Sequence, residues 1–158
     1  MRSLRLNHTT PDQKIKRWKI IGYGIIFTNG CYDVLHIGHI RYLTYLKNKY
    51  PCYKIIIGLN SNDSIKRNKG NKRPINSYKE RKEFLYALKT VDLVMKFNEK
   101  TPLNLIKRVK PNILAKGGDY EEKMIVGEEF VKSYGGKIDK TFYVKGKSST
   151  SIIKLQRK

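Results

Sequence analysis

The sequence predicts an α/β fold: one three-layer domain with about five parallel strands between helices. Three observations carry this. Short apolar runs alternate with longer stretches whose apolar residues recur at three- and four-residue spacing. The short runs are mostly continuous rather than alternating in apolar character, which suits parallel strands covered on both faces. A chain of 158 residues makes one domain by length and is long enough to bury a real core.

Taken in order, residues 1–10 carry no periodic pattern and read as a flexible arm, leaving 11–158 as the domain. Pro11 and Asp12 start a short helix through Trp18, with Ile15 and Trp18 on one side and Lys14, Lys16, Arg17 and Lys19 solvated. Gly24, Ile25, Ile26 and Phe27 form the first strand. Ile40, Leu43, Leu46 and Tyr50 mark the helix after it. A second strand over 53–59 ends in the polar cluster Asn60-Ser61-Asn62-Asp63-Ser64, with Asp63 the candidate cap of the next helix. Residues 66–73 hold Lys66, Arg67, Lys69, Lys72 and Arg73 with no acid, and read as a mobile basic loop.

Ser77 and Glu80 have capping-box spacing before a helix carrying Arg81, Phe84, Leu85 and Leu88. A third strand covers 91–97. Thr101-Pro102 opens a helix with Leu103, Ile106 and Val109 as its buried stripe. A short fourth strand, 111–115, runs into Lys116-Gly117-Gly118-Asp119-Tyr120. A helix over roughly 121–134 stops at Gly135-Gly136. The fifth strand spans 137–144, and Ser148, Ser149, Thr150 and Ser151 place hydroxyls at the start of a last helix.

Composition narrows the function classes. There is no apolar run of membrane-span length and no signal-peptide core, so a soluble cytoplasmic protein is expected. Cys31 and Cys52 make no disulfide framework and no CxxC pair, and read as free thiols. The formal net charge of +21 fits three readings: concentration of anionic substrates, nucleic-acid binding, or a lysine-rich solvated surface. The lysines are spread along the whole chain among many Asn, Ile and Tyr, which favours the third.

The chemistry concentrates between Phe27 and His39. A strand runs into Thr28-Asn29-Gly30-Cys31-Tyr32-Asp33, and a helix comes next that starts around His36-Ile37-Gly38-His39. A helix start offers unpaired backbone N–H groups and partial positive charge, which is an anion site. His36 and His39 are three apart, share a face, and can each donate to a phosphate oxygen; Gly38 lets a ligand approach. Two of the chain's three histidines fall at this one turn. Open α/β sheets bind ligands at the carboxyl ends of their strands, which also places Asn60 and Asp63 to meet a sugar or phosphate. No GxGxxG fingerprint and no Walker lysine motif is present, which disfavours a dehydrogenase or a P-loop kinase.

His36-Ile37-Gly38-His39 resembles the HxGH signature of the nucleotidyltransferase superfamily. Thr28 to Asp33, Lys69-Gly70, Arg73-Pro74-Ile75-Asn76 and the letter-for-letter Lys116-Gly117-Gly118-Asp119-Tyr120 resemble one branch of it, the bacterial heptose 1-phosphate adenylyltransferases. Ser148 to Ser151 resembles the superfamily's second signature, with hydroxyls kept but the usual Ile-Ser-Thr-Thr form altered. The resemblance covers about residues 11–155. It implies a Rossmann-like three-layer sandwich and transfer of a nucleotide from ATP to a sugar phosphate, with Mg²⁺ arriving with ATP.

By resemblance, His36 and His39 serve the ATP phosphates, and Lys69, Lys72 and Arg73 cover the phosphates or the sugar phosphate. Asn29, Gly30, Cys31, Tyr32, Gly38, Lys116, Gly117, Gly118, Asp119, Ser149, Thr150 and Ser151 line the nucleotide, and Asp33, Asn60 and Asp63 face the acceptor. Asp33 has two open roles: holding the turn or positioning Mg²⁺. The sugar-kinase domain that some relatives carry is expected to be absent, and a homodimer is expected because relatives are commonly dimers.

Four rivals stand beside this, of which a flavin-adenylating enzyme is disfavoured by the same branch words. A cytidylyltransferase acting on glycerol 3-phosphate shares HxGH. An aminoacyl-tRNA synthetase fragment is disfavoured by the lack of a KMSKS-like segment. A basic nucleic-acid-binding protein, recognisable by salt-sensitive DNA binding, is disfavoured by the intact phosphate-site words.

Overall fold

Alternating strand and helix segments become one all-parallel sheet in the computed structural model, which describes residues 9–118, 124–140 and 152. The strands are β1 Gly24–Gly30, β2 Tyr53–Asn60, β3 Leu93–Phe97, β4 Ile113–Ala115 and β5 Lys137–Asp139. The helices are α1 Pro11–Ile21, α2 Ile37–Lys49, α3 Asn62–Lys69, α4 Tyr78–Tyr86, α5 Leu103–Val109 and α6 Glu128–Ser133. Strand order is β3-β2-β1-β4-β5. The chain therefore steps one way from β1 to β2 and the other way from β1 to β4. That reversal opens a crevice at the carboxyl ends of β1 and β4, where sheets of this class bind ligands.

Strand alternation sorts the core into two halves. Ile25 and Phe27 of β1 and Ile56 of β2 pack with α1, α5 and α6 on one face. Ile26 of β1, and Ile55, Ile57 and Leu59 of β2, pack with Leu43 and Leu46 of α2 and Leu85 of α4 on the other. This is the three-layer, Rossmann-like sandwich expected.

Element ends differ from the sequence reading where capping decides them. Thr10 does not belong to an arm. Its hydroxyl accepts the Gln13 N–H while Gln13 reaches back to its backbone, and the helix runs on to Ile21. Ser61, not Asp63, caps α3 by accepting the Ser64 N–H at 3.0 Å. The supposed basic loop is in its first half the last turn of α3, with Lys66, Arg67 and Lys69 where the helix dipole favours cations, ending at Gly70. Pro102 is the N-cap of α5 rather than part of its first turn, and Leu105 replaces Leu103 in the buried stripe. Within the stretch expected to be helical over roughly 121–134, residues 124–127 are not helical and α6 starts at Glu128, after Gly127 in the left-handed region (φ 88°). The Ser77–Glu80 box is present as read. Residues 1–8, 119–123, 141–151 and 153–158 lie outside the described residues.

Helix α4 ties the sheet's carboxyl edge together through a residue that ought not to be in a core. Arg81 is fully buried beside Leu85, whereas Phe84 is exposed. Its Nη1 donates to the carbonyls of Cys31 and Asn60, both at 2.8 Å, its Nη2 to Asn62 Oδ1 at 2.8 Å, and its Nε to the Asn76 carbonyl at 3.0 Å. One guanidinium thus joins the ends of β1 and β2, the start of α3 and the segment before α4. Truncation would leave several buried acceptors without donors. Arg81→Ala should therefore lower unfolding stability in urea by about 3 kcal/mol or more; a loss below about 1 kcal/mol would show that this network contributes little.

Candidate active site

The turn after β1 is built on Asp33, which is buried. Its Oδ1 accepts the N–H groups of Ile75 (2.8 Å) and Asn76 (2.9 Å), and its Oδ2 accepts Arg73 Nε at 2.5 Å. The Asn76 side-chain amide donates back to the Asp33 carbonyl. Burial pushes the Asp33 pKa up, but the Asn76 and Ile75 N–H groups and the Arg73 guanidinium more than offset it and hold the carboxyl below its usual range. Both oxygens are thus engaged inside the fold. Asp33 is a scaffold for the turn and neither faces an acceptor nor offers itself to Mg²⁺. Arg73, for its part, is no mobile cover: its side chain is only 9% exposed and ion-paired to Asp33.

Three residues beyond Asp33, the histidines cap α2 with each other. His36 is the N-cap and its Nδ1 accepts the Gly38 N–H at 3.1 Å; His39 Nδ1 accepts the His36 N–H at 3.4 Å. The rings stack with centroids 3.9 Å apart. This corrects the expectation that bare amides hold the anion, because the Gly38 N–H is already satisfied by His36. It also fixes the chemistry. Two Nδ1 acceptors put the proton of each neutral ring on Nε2, so the pair presents two N–H donors. Burial, then His36 and Lys69, lower the His39 pKa to about 4. His39 is therefore neutral at physiological pH. Tyr32, buried with φ 45°, packs its ring 4.9 Å from that of His39 and backs it.

On the β4 side of the crevice, Lys116 reaches across to β1. Its Nζ donates to the Asn29 carbonyl (3.1 Å) and lies 3.4 Å from Asn29 Oδ1. Burial lowers its pKa; Cys31 acts in the opposite sense and Lys69 adds to the lowering. Lys69, exposed at the end of α3, is thus electrostatically coupled to both His39 and Lys116. Gly117 lets this segment close on α2, since a Cβ there would meet the Tyr42 ring at 3.0 Å, and Gly118 has φ 108°. Tyr42 in turn binds Thr28 of β1, hydroxyl to hydroxyl at 3.0 Å.

The structure thus gathers His36, Gly38, His39, Asn29, Gly30, Tyr32, Lys69, Lys116, Gly117 and Gly118 around one end of β1. The remaining expected residues are placed differently. The Cys31 carbonyl is taken by Arg81, and its Sγ lies 3.8 Å from Asn60 Oδ1. Asn60 is buried, and its Nδ2 donates to Ser64 Oγ at 2.9 Å, so it braces the strand end rather than facing an acceptor. Asp63 and Lys72 are exposed. Asp119, Ser149, Thr150 and Ser151 lie outside the described residues. Sequence reasoning missed Arg81 and Asn76 as organisers of the site. One signal was there for Arg81: a cation in register with Leu85 and Leu88 on the face meant for the core.

A profile of the cytidylyltransferase-like family matches residues 27–155. Among curated relatives, the "Bifunctional protein HldE" of Nitrobacter winogradskyi is 48% identical over 143 residues, 90% of this chain and 29% of that protein. The protein of the same name from Geobacter sulfurreducens is 42% identical over 161 residues, 96% of this chain and 32% of that protein. The chain spans about a third of the length of these relatives. Among solved structures, the lipopolysaccharide core biosynthesis protein from Thermoplasma volcanium superposes with a TM-score of 0.60 at 26% identity, covering 80% of this chain and all of that one.

The histidine geometry makes a direct prediction. In ¹⁵N–¹H long-range NMR spectra, both His36 and His39 should show the Nε2–H tautomer at neutral pH, and His39 should titrate near about 4 rather than near the ordinary 6.5. The same shift carries a sign for stability. The unfolded chain takes up a proton at His39 below about pH 6.5 and the folded one does not until about pH 4, so this group removes stability as pH falls through that window. A His39 titration at 6 or above would contradict the buried, mutually capped arrangement.

Proposed function

This chain belongs to the cytidylyltransferase-like family, and we propose that it transfers an adenylyl group from ATP to a heptose 1-phosphate, giving ADP-heptose and pyrophosphate. The observation that carries the reading is the pair of mutually capped histidines, each with Nδ1 accepting a backbone N–H and Nε2 left as the donor, at the carboxyl end of β1. Such donors neutralise charge without competing for the nucleophile, which suits a reaction whose nucleophile is itself a phosphate oxygen. The choice of heptose rests on the Thr28-to-Asp33, Arg73-Pro74-Ile75-Asn76 and Lys116-to-Tyr120 words, and on 42–48% identity to proteins named HldE. A structural neighbour named for lipopolysaccharide core biosynthesis adds weight.

In this mechanism a phosphate oxygen of the sugar attacks the α-phosphorus of ATP. The bond from the α-phosphorus to the bridging oxygen breaks, and pyrophosphate leaves with that electron pair. No protein atom forms a covalent bond. The protein aligns the two anions and offsets charge growing on the phosphorus and the leaving group. His36 and His39 donate from Nε2 to the ATP phosphates. Lys116 supplies charge from the β4 side, and Lys69 and Lys72 from the end of α3 and the turn after it. Asp119 and Ser149 to Ser151 complete the nucleotide's contacts by resemblance. Mg²⁺ enters bound to ATP as part of the substrate, since Asp33 has both oxygens engaged. A cytoplasmic homodimer belongs to the same reading. Among the described residues, no helix is long and apolar enough to cross a membrane.

Purified protein with Mg²⁺ and heptose 1-phosphate should release pyrophosphate with ATP; preference for CTP, or release only with an alcohol phosphate, would keep the reaction class and move the substrate. His39→Ala should lower kcat by about 10²–10³ while leaving a cooperative melt within a few degrees of wild type. Near-normal turnover in the folded variant would remove the histidine pair from the mechanism.

A further inference from the structure

Three hydroxyl side chains meet in the half of the core that α2 covers. Thr28 of β1 and Tyr42 of α2 are both buried and bond hydroxyl to hydroxyl at 3.0 Å. Tyr32 reaches the same threonine: burial raises its phenol pKa, and a hydrogen bond with Thr28 works the other way. One threonine hydroxyl can serve two phenols, since it donates one hydrogen and accepts through two lone pairs. The surroundings are apolar, with Ile26, Leu43, Ile57 and Ala115 in the same cluster. Valine and phenylalanine would fill such a core with no hydroxyl to desolvate. A satisfied buried network, in contrast, fixes one arrangement of the elements it joins.

Each phenol of this trio lies against a different flank of the site. The Tyr32 ring sits 4.9 Å from that of His39 and lies over Gly30, where a Cβ would meet it at 3.0 Å. The Tyr42 ring supports the other flank: a Cβ at Gly117, next to Lys116, would meet it at 3.0 Å. Lys116 Nζ in turn donates to the carbonyl of Asn29, the residue after Thr28. Thr28 itself is 1% exposed, so it acts only through its neighbours. From this we infer that Thr28 is a positioning residue: its hydroxyl links Tyr32 to Tyr42 and so fixes the Lys116 side of the site relative to the His39 side. The inference rests on the nucleotidyl-transfer reading, in which both sides must meet one polyphosphate. A reaction that works by alignment loses rate when its aligning groups shift.

The test is the pair Thr28→Val and Thr28→Ser. Valine keeps the volume and removes the hydroxyl, whereas serine keeps the hydroxyl and loses a methyl group. With Mg²⁺-ATP and heptose 1-phosphate, Thr28→Val should lower kcat about tenfold to a hundredfold, with both KM values within about threefold. Thr28→Ser should hold kcat within about threefold of wild type. A smaller loss in the folded valine variant, or a matching loss in the serine one, would assign the trio to packing alone and overturn the inference. Should Thr28→Val fail to fold, Tyr42→Phe removes one oxygen from the same link: a kcat about tenfold lower supports the role, and a smaller loss overturns it. Should wild-type protein transfer to no sugar phosphate, the function proposed above fails, and NMR titration of His39 judges Thr28 by itself. Burial is the first cause of the low His39 pKa of about 4, and Tyr32 supplies part of that cover. Loosening Tyr32 in Thr28→Val should raise this value by about half a pH unit or more, while Thr28→Ser leaves it in place. No rise in the valine variant, or an equal rise in both, would overturn the link.

Discussion

The site depends on one buried charge. Asp33 sits out of water between the end of β1 and the start of α2, where an isolated carboxylate would cost several kcal/mol. It stays ionised because two backbone N–H groups and the Arg73 guanidinium replace its hydration. These donors come from residues 73–76, some forty positions along the chain. Asp33 therefore fixes two things at once: the path of the turn that delivers His36 and His39, and the seat of a segment that would otherwise be a loose connection between α3 and α4.

Arg81 extends this arrangement by one layer. It binds the carbonyls of Cys31, Asn60 and Asn76 and the side chain of Asn62. Asn76 is shared, since its N–H serves Asp33 and its carbonyl serves Arg81. The two charged residues thus clamp one segment from both sides. Strand ends and loops are normally the least constrained parts of an α/β domain. Here the carboxyl ends of β1 and β2 are tied together by the Asp33 and Arg81 hydrogen bonds, which suits the proposed reaction, one that works by alignment.

Much of this was legible in the sequence, but unevenly. Continuous apolar runs announced the parallel strands, and the Phe27-to-His39 stretch announced the strand, turn and histidine-capped helix start, because both are local patterns. The capping box at Ser77 was readable for the same reason. The roles of Asp33, Arg73 and Asn60 were not, because what decides them is whether their polar atoms are already engaged, and their partners lie far away in sequence or are backbone groups that carry no letter. Arg73 in a run of lysines looks like one more surface cation; only its pairing with Asp33 separates it from Lys72. The run 66–69 looked like a loop because it is all cationic and polar apart from its chain position. Ser61 and Gly70, which bracket it, make it the end of a helix.

The electrostatics of the site now read as a single design constraint. Burial and neighbouring cations lower the proton affinity of both His39 and Lys116, and Lys69 contributes to each. With Arg73 and Arg81 alongside, positive groups crowd the end of β1 around the buried carboxylate of Asp33, whose charge is already engaged inside the fold. Cations held this close repel one another, and in the proposed reaction an entering polyphosphate would relieve that repulsion, so part of the binding energy would be prepaid by the fold. His39 is exempt from the crowding because burial above all keeps it neutral; it adds a donor without adding charge. A site of lysines alone would hold polyphosphate by charge and leave its geometry loose. In the proposed reaction, a histidine pair fixed by its own hydrogen bonds and flanked by cations would set the geometry where charge develops and leave the cations to draw the substrate in.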